Sequence, residues 1–334
     1  AGAPRRRLTL PRTVDVAALV ESARAGSARA VARLISLVED AHPRLREVMA
    51  ALAPHTGRAR VVGLTGSPGV GKSTTTTALV GAFRARGARV GVLAVDPSSP
   101  FSGGALLGDR VRMQDHALDP QVYIRSMASR GHLGGLACST PQAIRVLDAA
   151  GCDVVLVETV GVGQSEVEVA GLADTTVVLL APGMGDGIQA AKAGILEIGD
   201  VFVVNKADRE GADATVRDLR HMISLGERTE AGLWRPPVLK TVAELGVGVA
   251  EVMDALDKHH AHLEASGGLR RRRERRAAEE VESIALAALR SRFADLRGGV
   301  RLGGLAARVV DGELDPYAAA DALVETLTAQ GGRA

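Results

Sequence analysis

The sequence predicts an α/β fold, a doubly wound domain on a mostly parallel sheet, with helices before it and a helical arm behind it. Three observations carry this. Short runs that are apolar on both faces recur between residues 60 and 240, helical stretches follow most of them, and the first run leads into the glycine-rich "GSPGVGKST" of Gly66–Thr74. Strands buried on both faces are what a helix-covered parallel sheet contains.

The elements follow in order. Residues 1–57 read as an N-terminal helical segment. Thr13 and Ser27 are candidate N-caps, Val14, Ala18, Val31, Leu34 and Val38 recur at helical spacing, and Pro43 begins another turn. The opening "AGAPRRRLTLPRTVDV" has arginines but no long apolar segment behind them, so it reads as an ordered or frayed terminus and not a signal peptide. Residues 58–265 form the main domain, with strands expected at 60–65, 89–95, 153–159, 175–181, 201–205 and 237–240 and a last helix over 246–265. "SGGL" at 266–269 reads as a flexible joint. Residues 266–334 form a helical arm, with helices over 270–297 and 315–329.

Composition excludes several function classes. Aromatics are only 2% of the chain, so the core must be built from Val, Leu, Ile and Ala. A net charge of +2 gives no global case for nucleic acid or an anionic membrane, and no apolar stretch approaches a membrane span. Two cysteines, Cys138 and Cys152, make no disulfide framework and fit a reduced, cytoplasmic compartment. Lysine occurs only at 72, 192, 206, 240 and 258, which makes each one worth inspecting.

Gly66, Ser67, Pro68, Gly69, Val70, Gly71, Lys72 and Ser73 match G-x-x-x-x-G-K-[ST] at every fixed position, with Thr74 continuing into a helix. The glycines let backbone N–H groups converge on phosphate oxygens, and the helix beginning near Gly71 adds its positive end. Lys72 would reach the β- and γ-phosphates, and Ser73 would ligate Mg2+. "VFVVNKAD" sets Asn205, Lys206 and Asp208 at a strand end. A carboxylate there accepts from the N1–H and 2-amino group of guanine, whereas adenine would leave it unpaired, so GTP and GDP are favoured as ligands. Lys206 can lie along the base, and Thr241, Val242 and Ala243 at the end of the next strand would add backbone contacts.

"VLVETVGVGQSE" places Glu158 at a strand tip and Gly161 three residues on, where many GTPases carry Asp-x-x-Gly. Glu158 would serve Mg2+ directly or through water, and the Gly161 N–H would sense the γ-phosphate. Asp96 could bind Mg2+ or orient the attacking water, and Asp109 is a further carboxylate candidate. Lys72, Asp96 and Glu158 are thus the catalytic candidates.

These residues resemble the MeaB/ArgK-type P-loop GTPases, whose human relative is MMAA. The resemblance rests on "GSPGVGKST", "VDPSSPFSGGALLGDRVRM", "SRGHLGGL", "ETVGVGQSE", "GMGDGIQAAKAGILEI" and "NKAD" and covers about residues 50–330. It implies a homodimeric G protein that gates adenosylcobalamin delivery to methylmalonyl-CoA mutase and protects that enzyme, with Ser73, Asp96, Asp109 and Glu158 as the metal-site residues and Gly183–Lys192 as a nucleotide-reporting switch. The glycines of that segment agree with mobility, and Asp186, Gln189 and Lys192 are its candidate switch residues, Lys192 also as a partner-ordered catalytic cation. No D-x-H-x-x-G cobalamin pattern occurs, so the cofactor is expected in the partner. The same family has carried the label of a lysine/arginine/ornithine transport kinase; that kinase reading and a metal-insertion GTPase are the alternatives, the latter weakened by the absence of C-x-x-C although His259, His260 and His262 cluster. The run "RRRRERR" at 270–276 reads as the solvated face of a dimerisation helix with Val281, Ala285, Leu289, Phe293 and Leu296 as its apolar stripe, not as a nucleic-acid patch, since no aromatic interleaves it.

Overall fold

The computed structural model describes residues 15–96, 116, 118–128, 135–159, 165–183, 196–226, 233–297 and 300–331. Three helices come first: α1 (Val16–Arg24), α2 (Ala28–Glu39) and α3 (Leu45–Leu52). Ser27 caps α2 as its sequence predicts, while α1 is capped by Asp15, whose carboxylate accepts from the Ala18 N–H; Thr13 lies outside the described residues.

The sheet has seven strands, all parallel, in the order β3-β2-β4-β1-β5-β6-β7. They are β1 (Arg60–Thr65), β2 (Val90–Asp96), β3 (Val122–Ala128), β4 (Val154–Thr159), β5 (Thr175–Leu180), β6 (Val201–Val204) and β7 (Val238–Lys240). Six of them lie where the apolar runs place them. The seventh, β3, escapes that reading because it is an edge strand whose apolar run is broken by polar residues: Tyr123 donates to the Gly26 carbonyl and Arg125 pairs with Glu39, beside the buried Met127.

Helices cover both faces. Between the strands run α4 (Lys72–Ala85), α5 (Gly135–Ala149), α6 (Ser165–Leu172) and α7 (Ala212–Gly226), followed by α8 (Val249–Ala265). On one face α1, α2, α3, α5 and α6 pack against Val61, Leu93, Val95, Val155 and Val157. On the other, Leu79, Val80 and Phe83 of α4 and Val252, Met253 and Leu256 of α8 bury Val62, Leu64, Val92, Leu156 and Val203. Gly63 lets α6 approach β1, since a Cβ there would stand 2.8 Å from Val169 Cγ1.

The C-terminal region contains α9 (Gly268–Arg297), α10 (Val300–Val310) and α11 (Pro316–Gly331). Two readings of the sequence change here. "SGGL" is no flexible joint: Ser266 ends α8, Gly267 turns in the left-handed region at φ 67°, and α9 begins at the next residue. The arginine run is a solvated face only in part, through the exposed Arg270, Arg271 and Arg275. Arg272 grips Asp200 bidentately at 2.7 Å and 2.7 Å, and Arg273 and Arg276 both reach Asp174, at 2.8 Å and 3.2 Å. Only Arg270 and Arg275 pair locally, with Glu274 and Glu279.

These contacts fasten α9 to the amino edge of the sheet. An aspartate stands directly before each of β4, β5 and β6 and accepts an N–H from a neighbouring segment: Asp153 from Arg89 at 2.7 Å, Asp174 from Val61 at 3.0 Å, Asp200 from Thr176 at 2.9 Å. Asp174 is 0% exposed. Burial alone would raise its pKa, but Arg273, Arg276 and the Val61 N–H outweigh that and hold it below the ordinary carboxylate value. Asp200 is likewise held low against burial, by His259 and Arg272.

Asp174→Asn should therefore destabilise the fold by about 3–5 kcal/mol at pH 7, the range for breaking a buried ion pair. The folded pKa is depressed, so the wild-type advantage is full above the unfolded carboxylate range near pH 4 and is lost as pH falls through the lower folded value. Denaturant titrations of both proteins from pH 7 to about pH 2 check this; a gap that stays constant down the series would refute the ion-pair account.

Candidate functional site: the carboxyl edge of the sheet

In a doubly wound sheet ligands bind outside the carboxyl ends of the strands. Here β1 ends at Thr65 and the loop Gly66–Gly71 carries the chain into α4. Gly66 has φ 140°, and a Cβ there would come within 2.2 Å of the Leu179 carbonyl oxygen; Gly71 has φ 95°, and a Cβ would meet Asn205 Nδ2 at 2.4 Å. Only glycine fits either place. The N-terminus of α4 has no side-chain cap, unlike those of α1 and α2, which leaves its first N–H groups directed at the loop's concavity. Lys72 is buried, and its Nζ donates to the carbonyls of Gly66 at 2.6 Å and Ser67 at 3.1 Å. The ammonium thus lies against the loop it is expected to serve.

Glu158, at the end of β4, is 1% exposed. Ser73 Oγ stands 2.5 Å from its Oε1, and Thr76 Oγ1 stands 2.7 Å from its Oε2. Two expected metal-site residues therefore meet, and Thr76 joins them unforeseen by the sequence reading. Oxygen donors of this kind, a carboxylate and a hydroxyl, suit a hard divalent cation. Asp96 ends β2, two strands from β1 and next to β4, with its backbone beside Ala128 of β3. Asp109, Gly161, Asp186, Gln189 and Lys192 lie outside the described residues, as does the side chain of Asp96.

The loop after β6 is latched to the P-loop. Asn205 is 3% exposed; its Nδ2 donates to Val70 O at 2.9 Å, and its Oδ1 accepts from Thr241 Oγ1 at 3.1 Å and from the Ala243 N–H at 3.0 Å. One amide thereby joins three loops. Lys206 has φ 57°, a left-handed conformation that costs an L-residue roughly 1 kcal/mol. Its Nζ reaches Gly69 O at 2.7 Å, and the turn that follows presents Asp208 exposed. The N–H groups of Thr241, Val242 and Ala243 are all engaged internally, on Val204 O, Val247 O and Asn205 Oδ1. A base contact through any of them would require one of those bonds to open.

The histidine cluster has another use. His259 is fully buried, with Nδ1 2.9 Å from Thr175 Oγ1 and Nε2 3.2 Å from Asp200 Oδ1, and Trp234 packs on it at 4.8 Å. Among the described residues, no group of three or more His, Cys, Asp or Glu side chains gathers as a metal site would. No helix among them is long and apolar enough to cross a membrane.

A family model described as methylmalonyl-CoA mutase-associated GTPase MeaB matches residues 31–296. The chain belongs to the MeaB family of GTPases. A Pyrococcus abyssi protein, named only as a candidate GTPase, is 48% identical over 316 residues, spanning 94% of this chain and 97% of its own. GTPase ArgK of Escherichia coli is 38% identical over 276 residues, 80% of this chain and 83% of its own. A mouse protein named methylmalonic aciduria type A homolog, mitochondrial, is 38% identical over 268 residues, 75% of this chain and 64% of its own. The crystal structure of a LAO/AO transport system kinase superposes with a TM-score of 0.69 at 28% identity, covering 96% of this chain and all of that one. The fold class and the GTPase reading of the sequence agree with these relatives.

Proposed function

We propose that this MeaB-family GTPase binds GTP with Mg2+ and uses its turnover to gate adenosylcobalamin loading of methylmalonyl-CoA mutase and to protect that enzyme. The observation that carries the chemistry is the buried meeting of Ser73 and Glu158 at 2.5 Å beneath the P-loop. The client is supported by the mutase association in the family's description.

In hydrolysis, water attacks the γ-phosphorus, the bond to the β–γ bridging oxygen breaks, and GDP and inorganic phosphate result. The work is positioning and charge stabilisation. The N–H groups of Gly69–Ser73 and the Lys72 ammonium hold the phosphate oxygens. Ser73 and Glu158 would hold Mg2+, with Asp96 and Asp109 as further candidates; when bound, the cation supplies positive charge to the β- and γ-phosphates. Asp96 could instead orient the water, and the Gly161 N–H would report the γ-phosphate. Asn205 and Lys206 fix the base loop against the P-loop, Asp208 reads guanine, and Thr241–Ala243 close the base side. Cobalamin itself stays on the partner. We place the protein in the cytoplasm, where a thiol such as that of Cys152, buried and pushed up to about 12, stays reduced.

Asp208→Asn should weaken GTP binding and improve binding of xanthosine triphosphate, because the amide can donate where the carboxylate only accepts. Titrating both nucleotides against both proteins checks this; unchanged GTP affinity would remove Asp208 from the base site.

Gly183–Lys192 is the proposed switch, with Asp186 and Gln189 as its polar contacts and Lys192 as a cation that the docked mutase orders toward the transferring phosphoryl group. Lys192→Ala should leave GTP turnover of the isolated protein within about twofold while removing most of its acceleration by saturating mutase, since a directed cation is worth several kcal/mol in such a transition state. Equal stimulation of both proteins would return Lys192 to a solvated role, and no stimulation of the wild type would exclude the mutase as the client.

The arm is the proposed homodimer contact. Beyond Glu280, which pairs with Arg145, α9 exposes apolar side chains: Val281 is 67% exposed and Leu289 48%. Ile284 and Leu286 are exposed as well, whereas the side chains of Phe293 and Leu296 are outside the described set. Solvent-facing apolar side chains in succession on a helix mark a surface made for association. Val281→Glu with Leu289→Glu should convert the dimer to a monomer in analytical ultracentrifugation without altering GTP affinity; a variant that still sediments as a dimer places the interface elsewhere.

A further inference from the structure

We infer that Thr76 is the positioning residue of the Glu158 carboxylate: its hydroxyl holds Oε2, so that Oε1 faces Ser73 Oγ. This rests on the cation reading of Ser73 and Glu158 proposed above and goes beyond it by naming what makes a glutamate serviceable at that strand end.

A glutamate has one more rotatable bond than an aspartate. Standing at the end of β4 it can deliver an oxygen to Ser73 only if that extra torsion is fixed. Ser73 and Thr76 lie three residues apart in α4, hence on one face of the helix, and each meets a different oxygen of the same carboxylate. Both Thr76 and Glu158 are essentially inaccessible to water, at 0% and 1% exposure. Losing a hydrogen bond to a charged group at so buried a place is expensive.

The helix itself points the same way. Thr74–Thr77 are four threonines in succession, and β-branched residues are poor helix formers. Thr75 and Thr77 use their hydroxyls on carbonyls one turn back, Gly71 O at 2.9 Å and Ser73 O at 3.0 Å. Thr76 lies 3.0 Å from Lys72 O in the same manner, but its shorter contact, 2.7 Å, is to Glu158. A hydroxyl has one proton to give, and a carboxylate is the stronger acceptor. Together with Ser73, Thr76 ties the segment that carries Lys72 to the strand that carries Glu158.

The test uses the full-length protein loaded with a fluorescent GDP analogue. Its release is followed as Mg2+ is titrated, and the midpoint of Mg2+-dependent retention is read. Thr76→Val keeps the shape and removes the hydroxyl; it should raise that midpoint about tenfold, the lower end of what outer-shell substitutions cost. Release in EDTA should match the wild type, and Thr76→Ser should restore the midpoint. Should Thr76→Val fail to give folded protein by circular dichroism, Thr76→Ala against Thr76→Ser reads the same difference, with only the alanine shifted. In a Glu158→Asp background the shorter carboxylate no longer spans both hydroxyls, so adding Thr76→Val should change the midpoint less than twofold. An unshifted midpoint in Thr76→Val overturns the inference, and so does a serine variant shifted as far as the valine one. A wild type whose GDP release ignores Mg2+ overturns the cation reading itself, and this inference with it.

Discussion

An all-parallel sheet puts every strand start on one edge and every strand end on the other, and the rest of this molecule answers that constraint. At each edge the ladder runs out and backbone groups of the outer residues need other partners. The carboxyl edge meets the need with contacts among its loops, such as Thr241 N–H on Val204 O and Ala243 N–H on Asn205 Oδ1. The amino edge meets it with carboxylates. Asp148 accepts from three successive N–H groups, those of Gly57, Arg58 and Ala59, while Asp153, Asp174 and Asp200 each take one from a neighbouring segment.

Carboxylates buried at that edge create a second need. Asp174 and Asp200 are nearly inaccessible, and a charge taken out of water must be paired. The pairing comes from the first turns of α9, through Arg272, Arg273 and Arg276, and for Asp200 also from His259. The start of the arm is therefore fixed to β5 and β6 at the end opposite the P-loop. Those two strands carry at their other ends the segment from Gly183 onward and the Asn205–Asp208 loop. The arm and the loop that follows β6 are thus attached to opposite ends of the sheet.

At the carboxyl edge the same economy of partners recurs. Asn205 uses both ends of its amide, donating to Val70 O and accepting from Thr241 and Ala243, so the loops after β1, β6 and β7 are held to one another. Glu158 is held on both oxygens by one helix. Pre-organisation of this kind lowers the cost of ordering groups when substrate binds.

The sequence by itself determined the doubly wound class, six of the seven strands, the P-loop and its lysine, and the motif residues Glu158 and Asn205–Asp208, because these depend on local patterns: apolar runs, glycine spacing, residues at strand ends. It even held the amino-edge aspartates in plain view, as the Asp before "VVLVET", "TTVVLL" and "VFVV". What those aspartates accept, and which arginines neutralise them, depends on segments roughly a hundred residues away along the chain, such as Arg273 and Asp174. A run of arginines looks solvated until a buried acid is known to lie beneath it. Edge strand β3 was hidden because an edge needs only part of its surface apolar, and its polar residues reach Gly26 and α2. Thr76 was hidden for a similar reason: threonine on a helix has no signature until the carboxylate opposite is placed. Local pattern sets which elements form; only packing decides which polar groups meet, since burial is what gives each such meeting its energy.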